Sequence, residues 1–301
     1  MHFDQRLRSG PASVQLFGDD TRLDHFIQSN VVDPEELGQN RAGILARTRG
    51  QMDTRPLVDR EIWPLVEMLP SREFDHSTLE LVRTESATRL LGLGEPSVAA
   101  TLRTARRADG SAIELYLFDP CPGASYRGAL FHSHGGGMIM GSAKNMPFGP
   151  AAMAAALQIA VVSVEYRLAP ETPFRGPQQD CLDGLAWVAA NTAELGTDPA
   201  RIAIVGESAG GGLAVATGLM ARDTAGPRLA AQVLVYPMLD HRTGSESCRC
   251  NNRSTYEFVW TPASNQFGWE APRGKYLANG ARKGWFSPTL AEHLAGLPCC
   301  C

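Results

Sequence analysis

A chain of 301 residues with 44% hydrophobic content is long enough to bury the core of one α/β domain carrying an added lid. Its formal charge of -4, with lysines and arginines scattered and no basic stripe, excludes the electrostatic footprint of a nucleic-acid or anionic-membrane binder. Seven cysteines make an odd set, and no histidine or cysteine group at zinc spacing accompanies Cys248, Cys250 or the terminal Cys-Cys-Cys, so the expectation is reduced thiols in the cytoplasm and no metal.

The first twenty residues carry charge at positions 4, 6 and 8 and no apolar run, so no secretory signal is expected. In PLVDREIWPLVEML, residues Val58, Ile62, Leu65, Val66 and Leu69 fall on one face behind Pro56, which predicts an amphipathic helix. From Ala99 onward strand-like and helix-like segments alternate. ATLRTARR and AIELYLF flank an Asp-Gly turn and predict an antiparallel pair. GALFHSH, IAVVSVEY, RIAIVG and AQVLVYP follow, the last three as continuous apolar runs suited to strands buried on both faces. AAMAAALQ, too short with its following strand to span a bilayer, reads as a helix. Gln178 to Leu195 reads as another, with Gly196 as its C-cap, and LAVATGLMAR as a third.

This alternation is the pattern of an α/β fold, a mostly parallel sheet with helices on both faces. The expected organisation is an N-terminal extension with lid helices over 1–85, an α/β core over 86–240, a lid insertion over 241–286 and a return to the core over 287–301. The insertion holds eight of the chain's 22 aromatic residues, which either line an apolar ligand pocket or form the insertion's own small core.

Val205 to Ala214 reads VGESAGGGLA. A Gly-x-Ser-x-Gly pattern alone is weak, but here it follows a strand and opens a helix, the setting in which a serine is presented on a sharp turn and only small flanking residues fit. A glycine-rich turn cradling a phosphate is the bland alternative. FHSHGGG, ending at Gly137, argues against it, because a glycine loop at the end of a neighbouring strand can aim backbone donors at an alkoxide. Gly136, Gly137 and Ala209 are the candidate donors for Ser208, Gly135 shapes the turn, and His134 is expected to brace the loop by hydrogen bonds to backbone. Arg167 and Glu171 are expected to form a buried ion network.

In order and spacing, HGGG, YRLAPE, DPARIAIVGESAGGGLA and YPMLD resemble the hormone-sensitive-lipase-like esterases of the α/β-hydrolase superfamily, over about residues 56–298. The resemblance implies an eight-stranded α/β-hydrolase fold with a helical lid, Ser208 as nucleophile, and hydrolysis of small-molecule esters through an acyl-enzyme without a cofactor. It also implies an Asp or Glu and then a His on loops after the seventh and eighth strands. Where those strands are expected, SPTLAEHLAGLP is followed by Cys-Cys-Cys, so the last two strands and the general base are expected to be missing. None of the seven histidines occupies the expected place, though His241 lies past the C-terminal end of a strand; as the extended neighbour of Asp240 it makes a poor dyad with it. Two readings follow: a carboxylesterase for short to medium acyl esters, inactive in the chain as given, or a non-catalytic ligand-binding protein that reuses the pocket. AQVLVYP, uncovered on one side, would favour homo-oligomers or aggregation.

Overall fold

The computed structural model describes residues 54–68, 73–90, 94–248 and 258–298. All lie in the second of the chain's two units, Met1–Thr48 and Arg49–Cys301. Six strands form one sheet: β1 (Ala100–Arg106), β2 (Ala112–Phe118), β3 (Arg127–Ser133), β4 (Ala160–Val164), β5 (Thr197–Glu207) and β6 (Ala231–Val235). Their spatial order is β1-β2-β4-β3-β5-β6. β1 and β2 form the expected hairpin, closed by Arg107 N–H to Ser111 O at 2.9 Å and by Asp109 Oδ1 accepting from Ser111 N–H. β2 runs antiparallel to β4, and β4, β3, β5 and β6 are mutually parallel.

Helix α3 (Phe148–Leu157) packs Ala151 and Ala154 with Phe118, Leu130 and Val161 on one face of the sheet. On the opposite face α4 (Gly176–Ala190) and α5 (Ala209–Asp223) bury Cys181, Leu185, Val188 and Leu213 against Phe131, Val162 and Ile204. At 20–33 cal/mol per Å² of apolar surface, these two layers supply most of the driving force for this α/β body. A third cluster joins Phe74, with Leu79 and Val82 of α2 (Leu79–Leu90), to Phe267 and Ala271 of α6 (Pro262–Arg273) and to Ile139 and Ala169 of the core. Thus the N-terminal segment and the insertion meet over the HGGG loop.

Three local expectations change. PLVDREIWPLVEML is not one helix: a 3-10 turn at Arg55–Leu57 gives way to extended Val58, and α1 spans only Trp63–Met68. Pro64 inside a helix begun at Pro56 would clash with the carbonyl of Arg60, and Asp59 draws the Glu61 N–H to its own carboxylate at 2.9 Å. Ile62 is accordingly 52% exposed, and Leu69 lies outside the described residues. α4 ends at Ala190 rather than Leu195: Asn191 leaves helical geometry at φ -111, ψ 21, and its side-chain N–H caps Trp187 O at 2.7 Å; Gly196 sits in a later turn. β6 is only half-buried, since among the described residues it has β5 alone as a neighbour. The segment around His293 is exposed and not helical; Arg222 of α5 takes the carbonyls of His293 and Ala295 at 3.0 and 3.2 Å.

The aromatics of the insertion are divided among neighbours instead of forming a core of their own. Trp269 and Phe286 join the main core, Trp285 packs with Val215 and Leu219 of α5, and Phe267 joins the third cluster. Tyr256 lies outside the described residues.

Candidate active site

β5 runs into α5 through Ser208, whose backbone stands at φ 54, ψ -117, a conformation that costs a non-glycine residue about 1–3 kcal/mol. The surroundings hold it there. Ser208 N–H donates to Val235 O of β6 at 2.9 Å, and Ser208 O accepts from Met238 N–H at 2.8 Å and Gly212 N–H at 3.1 Å. A Cβ on Gly210 would collide with Ser133 O, so the start of α5 lies directly on the end of β3.

The HGGG loop leaves β3 beside this turn. A Cβ on Gly135 would stand 3.6 Å from Ser208 Cβ. Gly136 and Gly137 follow at φ 114 and 64, in the region that favours glycine. Ile139 and Met140 N–H both donate to Gly136 O at 3.0 Å, closing the turn. Among the described residues, no acceptor takes the N–H groups of Gly136, Gly137 or Ala209, although Gly137 and Ala209 are buried. Buried unpaired N–H groups are rare and costly, and such donors suit an incoming oxyanion.

His134 is fully buried. Its Nδ1–H donates to Gly135 O at 2.8 Å, its ring stacks on Tyr166 at 4.1 Å, and the Tyr166 hydroxyl donates to His134 O at 2.8 Å. Burial pushes the imidazole down to about 4, so it is neutral at pH 7 with Nε2 unpartnered.

Beneath the turn, His132 donates from Nε2 to Glu207 at 3.0 Å and places Nδ1 2.7 Å from Ser163 Oγ. This file crosses β4, β3 and β5, where His132 and Ser163 are register partners. Burial alone would raise the Glu207 carboxyl; the His132 hydrogen bond and charge hold it below the ordinary value. Sequence reasoning passed over Glu207, His132 and Ser163. The available signal was an acidic residue beside the serine and a histidine two residues ahead of HGGG.

His241 is not joined to Ser208. Its Nδ1 is 4.0 Å from Asp240 Oδ1 and unpartnered, and its ring packs against Phe286 and Trp269 beside a cavity of about 270 Å³ that Arg242, Gln266 and Arg273 also line. Asp240 is engaged instead by Arg242 at 2.8 and 2.6 Å, which pulls its carboxyl down to about 2, while burial lowers His241. Among the described residues, no side chain hydrogen bonds to Ser208 Oγ.

The expected Arg167–Glu171 pairing is replaced by two separate networks. Asp180, fully buried on α4, receives Arg167 through Nε and Nη2 at 2.9 Å each and Arg107 at 2.7 and 3.0 Å. A carboxylate taken out of water needs partners, and it draws both guanidinium groups. Glu171 instead faces Arg83 of α2. No group of three metal-ligating side chains occurs among the described residues, which do not include Cys250 or Cys299 to Cys301. No helix among them is long and apolar enough to cross a membrane.

Residues 130–301 match a family model described as alpha/beta hydrolase fold. Carboxylesterase NlhH of Mycobacterium tuberculosis is 46% identical over 108 residues, 36% of this chain and 34% of NlhH. Esterase LipI of the same species is 33% identical over 190 residues, 62% of this chain and 58% of LipI. The chain therefore spans about a third to somewhat over half of these curated relatives. A solved bacterial heroin esterase superposes with a TM-score of 0.69 at 31% identity, covering 82% of this chain and 79% of that one. With the six-stranded sheet, the strand-turn-helix at Ser208 and the family match in agreement, the chain belongs to the α/β-hydrolase fold family.

Proposed function

We propose that the chain carries the nucleophile and oxyanion-binding half of a serine carboxylesterase acting on short to medium acyl esters. The observation that supports this most directly is Ser208 at φ 54, beside a loop whose Gly136 and Gly137 N–H groups, with that of Ala209, have no acceptor among the described residues. In this reading Ser208 Oγ attacks the ester carbonyl carbon and its proton passes to a base. The carbonyl oxygen becomes an oxyanion held by the three N–H groups, with His134 and Gly135 bracing the loop. Collapse expels the alcohol and leaves an acyl-enzyme, which water cleaves to the carboxylic acid and free Ser208. The reaction so written needs no metal or organic cofactor. The names of the relatives, carboxylesterase, esterase and heroin esterase, support an ester substrate.

Because no described histidine reaches Ser208, these 301 residues alone are proposed to turn over esters only weakly, with His241 as the first substitute base to mutate. Losing a triad member still leaves about 10³–10⁴ of acceleration over water. The same observation favours a second reading, a ligand-binding protein that keeps the pocket without the chemistry. A cytoplasmic location, no nucleic-acid partner, and self-association along the half-exposed edge of β6 complete the proposal.

A fluorophosphonate ester separates the readings. Labelling confined to Ser208, lost in Ser208→Ala, supports the esterase; tight ester binding with no label on Ser208 supports the binder. Sedimentation under reducing conditions tests the association, and a monomer at all concentrations rejects it.

A further inference from the structure

We propose that Arg83 is a positioning residue for the oxyanion loop, which makes α2 a fixed bracket of the site instead of a lid that swings away. The inference rests on the esterase reading only for what the loop does; the contacts stand apart from it. Arg83 donates from Nε to Ile139 O at 2.8 Å and from Nη2 to Ala169 O at 2.9 Å. Its two terminal nitrogens also grip Glu171 at 2.8 and 2.9 Å, and Nη1 reaches Glu80 at 2.9 Å.

Ile139 and Ala169 are both fully buried, and among the described residues no other group donates to either carbonyl. Arg83 is thus what satisfies them, and an unpaired buried carbonyl is strongly disfavoured. Each belongs to the oxyanion loop or its support. Ile139 N–H closes the turn on Gly136 O at 3.0 Å, and Ala169 N–H donates to Met138 O at 2.9 Å. One guanidinium therefore staples the HGGG turn, the YRLAPE turn and α2 together, with Glu171 setting the plane of the fork. The apolar contacts of Leu79 and Val82 with Ile139 and Ala169 run beside the staple. A lysine, with a single compact ammonium, can reach one of these acceptors but cannot hold both carbonyls and the carboxylate at once, so it should replace the staple only in part.

The test measures hydrogen exchange and Ser208 phosphonylation in the full chain, in Arg83→Met, which keeps the stem but no donor, in Arg83→Lys, and in Glu80→Gln, which loses only the exposed intrahelical pair. In Arg83→Met the Ile139, Met140 and Ala169 amides are expected to exchange at least about tenfold faster, with the Val162 amide of β4 unchanged. The first-order phosphonylation rate is expected to fall about tenfold to hundredfold at unchanged half-saturating reagent concentration, the size of effect that misplacing a preorganised group produces. Arg83→Lys should recover part of both changes, and Glu80→Gln should match the parent. Unchanged exchange at the three amides overturns the proposal. So does faster exchange spread through β4, or a lysine variant no better than methionine, since either marks a merely structural role. If the parent is not labelled at Ser208, the esterase reading fails and exchange at the three amides alone decides for or against the staple.

Discussion

The indole of Trp260 stands where a side chain on Gly137 would be: a Cβ at Gly137 would come within 2.5 Å of Cη2 and 3.0 Å of Cζ2. Trp260 is held there by Phe74, with ring centroids 5.0 Å apart, and by its Nε1–H donating to Asn265 Oδ1 at 3.1 Å. The HGGG loop is therefore packed from one side by the insertion and from another by the N-terminal segment.

Gly137→Ala should be doubly disfavoured, by its φ of 64 and by Trp260. The expected outcome is a loss of about 10²–10³ in Ser208 phosphonylation rate, the effect of removing one oxyanion donor. Adding Trp260→Ala should restore part of that loss by freeing the space, so the pair should be non-additive in a double-mutant cycle. Strict additivity would show that the indole does not limit the loop.

Ser208→Gly should separate stability from reactivity. Glycine adopts φ 54, ψ -117 without steric cost, so the strain held at Ser208 is released. Glycine's greater unfolded-state entropy offsets part of the gain. We expect a denaturant midpoint shifted upward by about 0.5–2 kcal/mol of stability, with all fluorophosphonate labelling gone. A midpoint below that of Ser208→Ala would contradict the strain argument.

Asp180 is fully buried and held by two arginines, Arg107 with its side chain 12% exposed and Arg167 with its side chain 41% exposed, which makes that carboxylate a sensitive charge in the described core. Asp180→Ala leaves Arg107 and Arg167 facing an empty site and should destabilise the chain by about 3–5 kcal/mol. Glu171→Ala, which removes a half-exposed partner of Arg83, should cost no more than about 1 kcal/mol. Equal losses in urea unfolding would reject this ranking.

Acid should weaken the fold through Asp240 and Glu207. Each has a folded-state carboxyl below its ordinary value, so its contribution is present above that ordinary value and is lost as pH falls through the folded value. For Asp240, held by Arg242, the window runs from 3.8 down to about 2. For Glu207, held by His132 against the effect of burial, the loss begins below 4.5. Asp240→Asn and Glu207→Gln should each flatten the stability profile in its own window, read as unfolding midpoints against pH. A profile unchanged in both variants would assign the acid sensitivity to other carboxylates.

The strands, the hairpin turn, the helix after Ser208 and the HGGG loop were legible in the residues because each is encoded locally. Apolar runs, an Asp-Gly turn and glycines at close spacing restrict the backbone within a few positions, whatever surrounds them. Where local rules competed, the pattern misled: the apolar face over Val58–Leu69 suggested one helix, while Pro64 and the Asp59 carboxylate break it. The pairings around the site had no local signature. Arg83 with Ile139 and Ala169, Arg107 with Asp180, His132 with Ser163 and Glu207, and Trp260 with Gly137 each join residues far apart along the chain. Chemistry requires that a buried Asp180 have a cationic partner, but three-dimensional packing chooses Arg107 and Arg167 over any other arginine. The same holds for Glu171, exposed enough to do without Arg167 and close enough to α2 to hold Arg83. Desolvation sets which polar groups must be paired, and the positions of the packed elements decide with whom.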